Sequence, residues 1–124
     1  MISTQEYMSS PVKTASIKDS VLDVCEIMDT NNIGSVVILD GKTLAGIVTE
    51  RDIIRKVVSD KKDPADVLAK DIMTASVITV TEDASVMEIS GEMKTHSMRR
   101  IVVVDDNQYP IGIITSRDLI GLLV

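Results

Sequence analysis

Gly46-Ile47-Val48-Thr49-Glu50-Arg51-Asp52 returns sixty-six residues later as Gly112-Ile113-Ile114-Thr115-Ser116-Arg117-Asp118. In each copy an apolar, β-branched run meets a threonine, and an aspartate follows three residues on. The run reads as a strand, and the threonine stands where an amphipathic helix begins. Such a junction leaves backbone N–H groups unpaired and pointing outward, free to be capped by the chain or to hold an anion.

Working outward, the repetition extends over most of the chain. Residues 8–40 align without gaps on 73–105, matching Met8 with Met73, Thr14 with Thr79, Ser20-Val21 with Ser85-Val86, and Asp40 with Asp105. From Gly46 to Ile54 the match continues with one extra residue, a change a loop absorbs easily. Each repeat reads as β-α-β-β-α. Short extended stretches at 12–15 and 77–80 come first. Helices near 20–30 and 85–95 follow, with Val21, Leu22, Val24, Cys25 and Met28, and Val86, Met87, Ile89 and Met93, at helical spacing. Asp19 or Ser20 caps the first helix and Asp83 or Ser85 the second. Strand pairs at 35–39 with 44–48, and at 100–104 with 110–114, flank turns at Asp40-Gly41-Lys42 and Asp105-Asp106-Asn107. A final helix starts at Thr49 and at Thr115. The polar stretch 59–64 reads as a linker, with one helical turn over 65–70. The fold class is therefore α/β, in one module over 1–124: repeat 1 over 8–58, a linker over 59–71, and repeat 2 over 72–123. A unit of about 55 residues buries too little surface to be comfortable alone, so the two are expected to pack about a pseudo-twofold axis.

Composition narrows the function. Of 124 residues, 44% are apolar, yet there is no Phe, no Trp, and only Tyr7 and Tyr109. The core must be aliphatic, and the chain lacks the aromatic platforms that single-stranded nucleic-acid binders use. A formal net charge of −6 argues against DNA or RNA as partner. The single cysteine, Cys25, reads as a small buried hydrophobe and forms no internal disulfide, which suits a reducing compartment. With no membrane span or secretion signal in view, the expected location is cytoplasmic. One His, His96, and one Cys build neither a catalytic triad nor the usual zinc cage, so no metal site is expected and the chain is read as no enzyme.

The Thr-x-x-Asp turns remain. Each resembles a capping box. Each also pairs a carboxylate suited to a ribose diol with hydroxyl and N–H donors suited to phosphate. Recurrence at the same place in both repeats, with Gly46 or Gly112 three residues ahead of the threonine, favours binding over capping alone. The basic residues are uneven: Lys94, His96, Arg99 and Arg100 cluster before the second repeat's central strand, where the first repeat has Gly34 and Ser35 against the two arginines. Arginine suits bidentate phosphate contacts.

The duplicated β-α-β-β-α pattern, the segment Met28-Asp29-Thr30-Asn31-Asn32-Ile33-Gly34-Ser35-Val36-Val37-Ile38-Leu39-Asp40 and the paired turns resemble a CBS domain pair, named after cystathionine β-synthase, over nearly the whole chain. The resemblance implies two repeats packed through their small sheets, with two symmetry-related clefts for adenosine-containing ligands such as AMP, ADP, ATP or S-adenosylmethionine. In one cleft it implies Asp118 for ribose, Thr115, Arg99 and Arg100 for phosphate, and Ile113 for the base, with Lys13, Ile33 and Gly34 from the first repeat. In the other it implies Asp52, Thr49 and Ile47 with Ile78 and Met98, facing Gly34 and Ser35. The Asp118 cleft is expected to bind a phosphorylated nucleotide more tightly. The implied role is a ligand-sensing regulatory module, as a homodimer acting on an unidentified effector protein. The alternatives are an assembly module with degenerate clefts, or an RNA-binding member of the family.

Overall fold

A computed structural model describes Thr4, Met8, Ser9 and residues 12–121. The expected repeats also include residues 10, 11, 122 and 123, which lie outside the described residues. The element order repeats the motif: β1 (Thr14–Ser16), α1 (Val21–Asn31), β2 (Ser35–Asp40), β3 (Thr43–Thr49) and α2 (Glu50–Ile53), then α3 (Ala69–Ile72), β4 (Thr79–Thr81), α4 (Val86–His96), β5 (Arg100–Val104), β6 (Pro110–Thr115) and α5 (Ser116–Gly121). It is a mixed α/β fold with two three-stranded sheets, ordered β1-β2-β3 and β4-β5-β6. The first strand of each is parallel to the second, and the third antiparallel to it.

The chain forms two compact units. One is Lys13–Ser76; the other joins Val77–Val124 to the N-terminal segment Met1–Val12. A residue near the start of each repeat therefore bridges to the third strand of the other repeat's sheet. Thr74 bridges to Ile47, with N–H···O distances of 2.9 and 3.0 Å, and Ser9 bridges to Ile113 at 2.8 and 3.2 Å. The glycines three residues ahead of each threonine are explained here. A Cβ on Gly46 would lie 2.7 Å from the Thr74 carbonyl oxygen and 2.9 Å from the Met73 sulfur, and one on Gly112 would lie 2.5 Å from the Met8 sulfur. These glycines make room for the methionines and, at Gly46, for the bridging backbone.

Within the first unit, Val21, Val24 and Met28 of α1 pack on Val36, Ile38 and Val48, with Val57, Val67, Ala69 and Ile72 closing the core. Spacing of three and four residues puts the helix positions on one face. In the second unit Ile89 and Met93 of α4 cover Ile101, Val103 and Ile114. Fully burying each such side chain contributes about 1.5–3 kcal/mol. The central strands are apolar on their other face as well, through Val37 and Leu39 in β2 and Val102 and Val104 in β5. A nearly continuous run of aliphatic residues is what a strand apolar on both sides looks like.

Local signals resolve the ambiguous caps. Ser20 accepts from the Asp23 N–H at 3.1 Å and Ser85 from the Glu88 N–H at 3.1 Å. Asp19 instead closes its own turn by accepting from the Ser16 N–H, and Asp83 accepts from the Thr81 hydroxyl. The extra residue of the second repeat sits in its hairpin: β2 and β3 pair Leu39 with Leu44, whereas β5 and β6 pair Val104 with Pro110. Gly41 at φ 63° makes the shorter turn, and Gln108 takes the left-handed position, φ 65°, in the longer one. The expected helical turn over 65–70 is two pieces, a 3-10 turn at Pro64–Asp66 and α3. Between them Leu68 is extended and bridges to Ser20. The opening strands begin at Thr14 and Thr79, about two residues later than their expected starts, because the parallel ladder begins at Thr14 opposite Val37 and at Thr79 opposite Val102.

Candidate functional site: two Thr-x-x-Asp turns

Both turns close on themselves. In the first unit the Asp52 N–H donates to the Thr49 hydroxyl at 3.2 Å, and Asp52 Oδ2 accepts from the Thr49 N–H at 3.0 Å and from its hydroxyl at 3.1 Å. This is a complete capping box, with Asp52 buried. In the second unit the Thr115 N–H donates to Asp118 Oδ2 at 2.8 Å, and the Asp118 N–H to the Thr115 hydroxyl at 3.3 Å. The two readings of the turn are compatible, since each aspartate has a second oxygen.

Those second oxygens differ. Asp52 Oδ1 is ion-paired with Lys56 Nζ at 3.2 Å, and the same ammonium donates to the Ile72 carbonyl at 2.8 Å. Among the described residues Asp118 Oδ1 takes no hydrogen bond or ion pair. Lys56 lies in a π-helical turn, Ile54–Val58, that continues α2. The wide turn shows as an N–H···O bond from Ser59 to Ile54 at 2.9 Å.

The remaining candidate residues sort by unit. In the first, the Lys13 carbonyl accepts from the Val37 N–H, the Ile33 N–H donates to Met28, and the Gly34 carbonyl accepts from the Glu50 N–H at 3.1 Å. Gly34 and Ser35 therefore sit against the Thr49 turn, and Ser35 is paired with Thr49. In the second, the Ile78 carbonyl accepts from Val102, the Met98 N–H donates to Met93, and the Arg99 carbonyl accepts from the Ser116 N–H at 2.8 Å. Arg100 is paired with Thr115. The arginines occupy the places of Gly34 and Ser35, directly beside the Asp118 turn. Among the described residues their guanidinium groups make no hydrogen bond or ion pair. His96 Nε2 lies 3.1 Å from the Glu92 carboxylate, one turn back on α4. Ile113, the expected base contact, and Ile47, its counterpart in the other cleft, carry the bridges to Ser9 and Thr74. Met8 and Met73 were missed as site-shaping residues; their pairing with Gly46 and Gly112 in the repeat is the signal that points to them.

A cavity of about 400 Å³ opens beside α1 and α2, lined by Cys25, Met28, Asp29, Asn32, Ile33, Glu50, Ile53 and Ile54. It excludes both Thr49 and Asp52. Cys25 is half-buried rather than fully buried. Burial first, and the Glu26 carboxylate second, push its thiol above the ordinary value, which makes it a poorer nucleophile. Among the described residues no three His, Cys, Asp or Glu side chains gather to hold a metal ion, and no helix is long and apolar enough to cross a membrane.

A duplicated β-α-β-β-α unit with a Thr-x-x-Asp turn closing each copy defines a tandem repeat module. The CBS domain model matches residues 5–59 and 69–124, and the chain belongs to that family. It is 42% identical over 120 residues to an uncharacterized protein of Methanopyrus kandleri, covering 96% of this chain and 61% of that one. It is 33% identical over 117 residues to an L-aspartate semialdehyde sulfurtransferase of Methanocaldococcus jannaschii, covering 93% of this chain but 22% of that enzyme. The chain thus spans less than two thirds of the length of these relatives. Among solved structures, the CBS domain pair of protein MJ0100 in complex with 5′-methylthioadenosine and S-adenosylmethionine superposes with a TM-score of 0.85 at 31% identity, covering 99% of this chain and all of that one.

Proposed function

We propose that this CBS pair binds an adenosine-containing ligand and acts as a sensing module for a partner protein, with no catalysis of its own. The observation that carries the reading is the Asp118 turn: a carboxylate oxygen free among the described residues, beside two arginines with no partner there. Asp118 receives the ribose hydroxyls, Thr115 and the guanidinium groups of Arg99 and Arg100 receive phosphate, and Ile113 packs on the base. The binding of S-adenosylmethionine and methylthioadenosine by the MJ0100 pair supports the ligand class. AMP, ADP and ATP fit the arginines better than methylthioadenosine, which carries no anion, or S-adenosylmethionine, whose one carboxylate is accompanied by two positive charges. The single cysteine fits a cytoplasmic setting.

The test is a thermal-shift panel of adenosine, AMP, ADP, ATP and S-adenosylmethionine. A ligand at a hundred times its dissociation constant adds about 2.7 kcal/mol, a midpoint shift of several degrees for a domain of this size. A flat panel overturns the reading in favour of an assembly module.

A homodimer is proposed from a second observation. Leu22 and Met87 occupy equivalent places in α1 and α4 and are 40% and 86% exposed. Ile54 and Ile120 are likewise equivalent, at 56% and 60%. Paired aliphatic residues on the helix side of both repeats suit an isologous contact between copies. Sedimentation of Met87→Glu is expected to show monomers where the parent chain shows dimers. A variant that stays dimeric places the interface elsewhere.

A further inference from the structure

The two turns repeat nearly residue for residue, but their aspartates are engaged differently. Asp52 has both oxygens occupied: Oδ2 by the Thr49 N–H and hydroxyl, Oδ1 by Lys56 at 3.2 Å. Lys56 is itself anchored by the Ile72 carbonyl at 2.8 Å. Four residues after Asp118 the sequence has Leu122, which carries no charge whatever its placement. A ribose diol brings two O–H donors and needs a carboxylate with accepting capacity to spare.

We propose that Lys56 is a latch that closes the Asp52 turn to ribose, so that the chain takes one adenosine-type ligand, at Asp118, rather than two. This rests on the binding role assigned above to the turns. The lysine side chain is 45% exposed, so the ion pair alone would be weak. The second anchor gives it effect. With the ammonium already held by Ile72, little further side-chain entropy is lost in facing Asp52. A ribose entering there must also strip a charge partner from a carboxylate only 12% exposed. The Arg99/Arg100 against Gly34/Ser35 difference acts on phosphate. The latch acts on the nucleoside part and so discriminates even against a ligand without phosphate.

Calorimetric titration with adenosine isolates the effect, because adenosine offers no phosphate for Lys56 to attract. The parent chain is expected to bind one adenosine, lost in Asp118→Asn. Adding Lys56→Leu to Asp118→Asn is expected to restore one site, at least tenfold tighter than in Asp118→Asn alone. Lys56→Gln, which keeps a donor for Ile72 but drops the charge, guards against disturbance of the π-helical turn and is expected to restore the site as well. If both double variants fold, by circular dichroism, and bind no adenosine while the parent binds one, the latch is overturned. A parent that binds two adenosines also overturns it. A parent that binds no panel ligand at all instead overturns the adenosine reading itself.

Discussion

Asp118→Asn is expected to abolish the ligand-induced thermal shift while leaving the unliganded midpoint within a few degrees of the parent. The carboxylate accepts from the Thr115 N–H through Oδ2, and an asparagine carbonyl oxygen keeps that bond. What is lost is the charge on the oxygen facing the ribose. Hydrogen bonds to charged groups are worth about 1.5–3 kcal/mol each, so losing one weakens binding by roughly ten- to a hundred-and-fiftyfold, and losing both by more than that. Asp52→Asn should do the reverse: it breaks the ion pair with Lys56 and weakens a complete capping box, lowering stability by about 1 kcal/mol, with ligand affinity retained. Arg100→Ala separates phosphate from nucleoside. ATP is expected to weaken about tenfold, corresponding to about 1.4 kcal/mol, and adenosine to be unaffected. Equal loss in the Asp118 and Asp52 variants would refute the assignment of the ligand to one turn.

Gly46→Ala is expected to be the more damaging of two equivalent glycine substitutions. Its new Cβ meets a backbone carbonyl, that of Thr74, at 2.7 Å, besides the Met73 side chain. Relief requires moving the strand that carries both hydrogen bonds to Ile47. Overpacking of this kind costs about 1–3 kcal/mol, and chemical denaturation measures it directly. At Gly112 the three nearest atoms all belong to the Met8 side chain, which is flexible and can turn aside. Met8→Ala should therefore rescue Gly112→Ala, even to a net gain, since Gly in a strand costs about 0.5–1 kcal/mol relative to Ala. Met73→Ala should fail to rescue Gly46→Ala, because the Thr74 carbonyl remains. Equal rescue at both sites would mean that the backbone contact is not the obstacle.

Much of this was readable before any coordinates. The offset of one residue between the repeats points to a longer second hairpin, and the turn at 105–109 contains it. Val21, Val24 and Met28 announce the buried face of α1 by spacing alone. The choice between Asp19 and Ser20 as cap was not readable, because both can accept from a free N–H and only the local path of the chain decides which one reaches Asp23. The glycines stood out in the sequence only as a recurring part of the turn pattern; their reason, room for a methionine and for the residue that bridges to the strand, is tertiary.

The sequence by itself determined that there are two α/β repeats, where their helices and strands lie, and that each ends in a Thr-x-x-Asp turn. These are local matters of periodicity, capping and turn chemistry, encoded within a few residues. The tertiary structure alone decided that Thr74 bridges to the first sheet and Ser9 to the second. It alone decided, too, that Asp52 is held by a lysine anchored sixteen residues away at Ile72, while Asp118 keeps an oxygen free among the described residues. Bonds of that kind join backbone and side chains distant along the chain. No local pattern specifies them, and on them rests the inequality of two turns that look alike in the sequence.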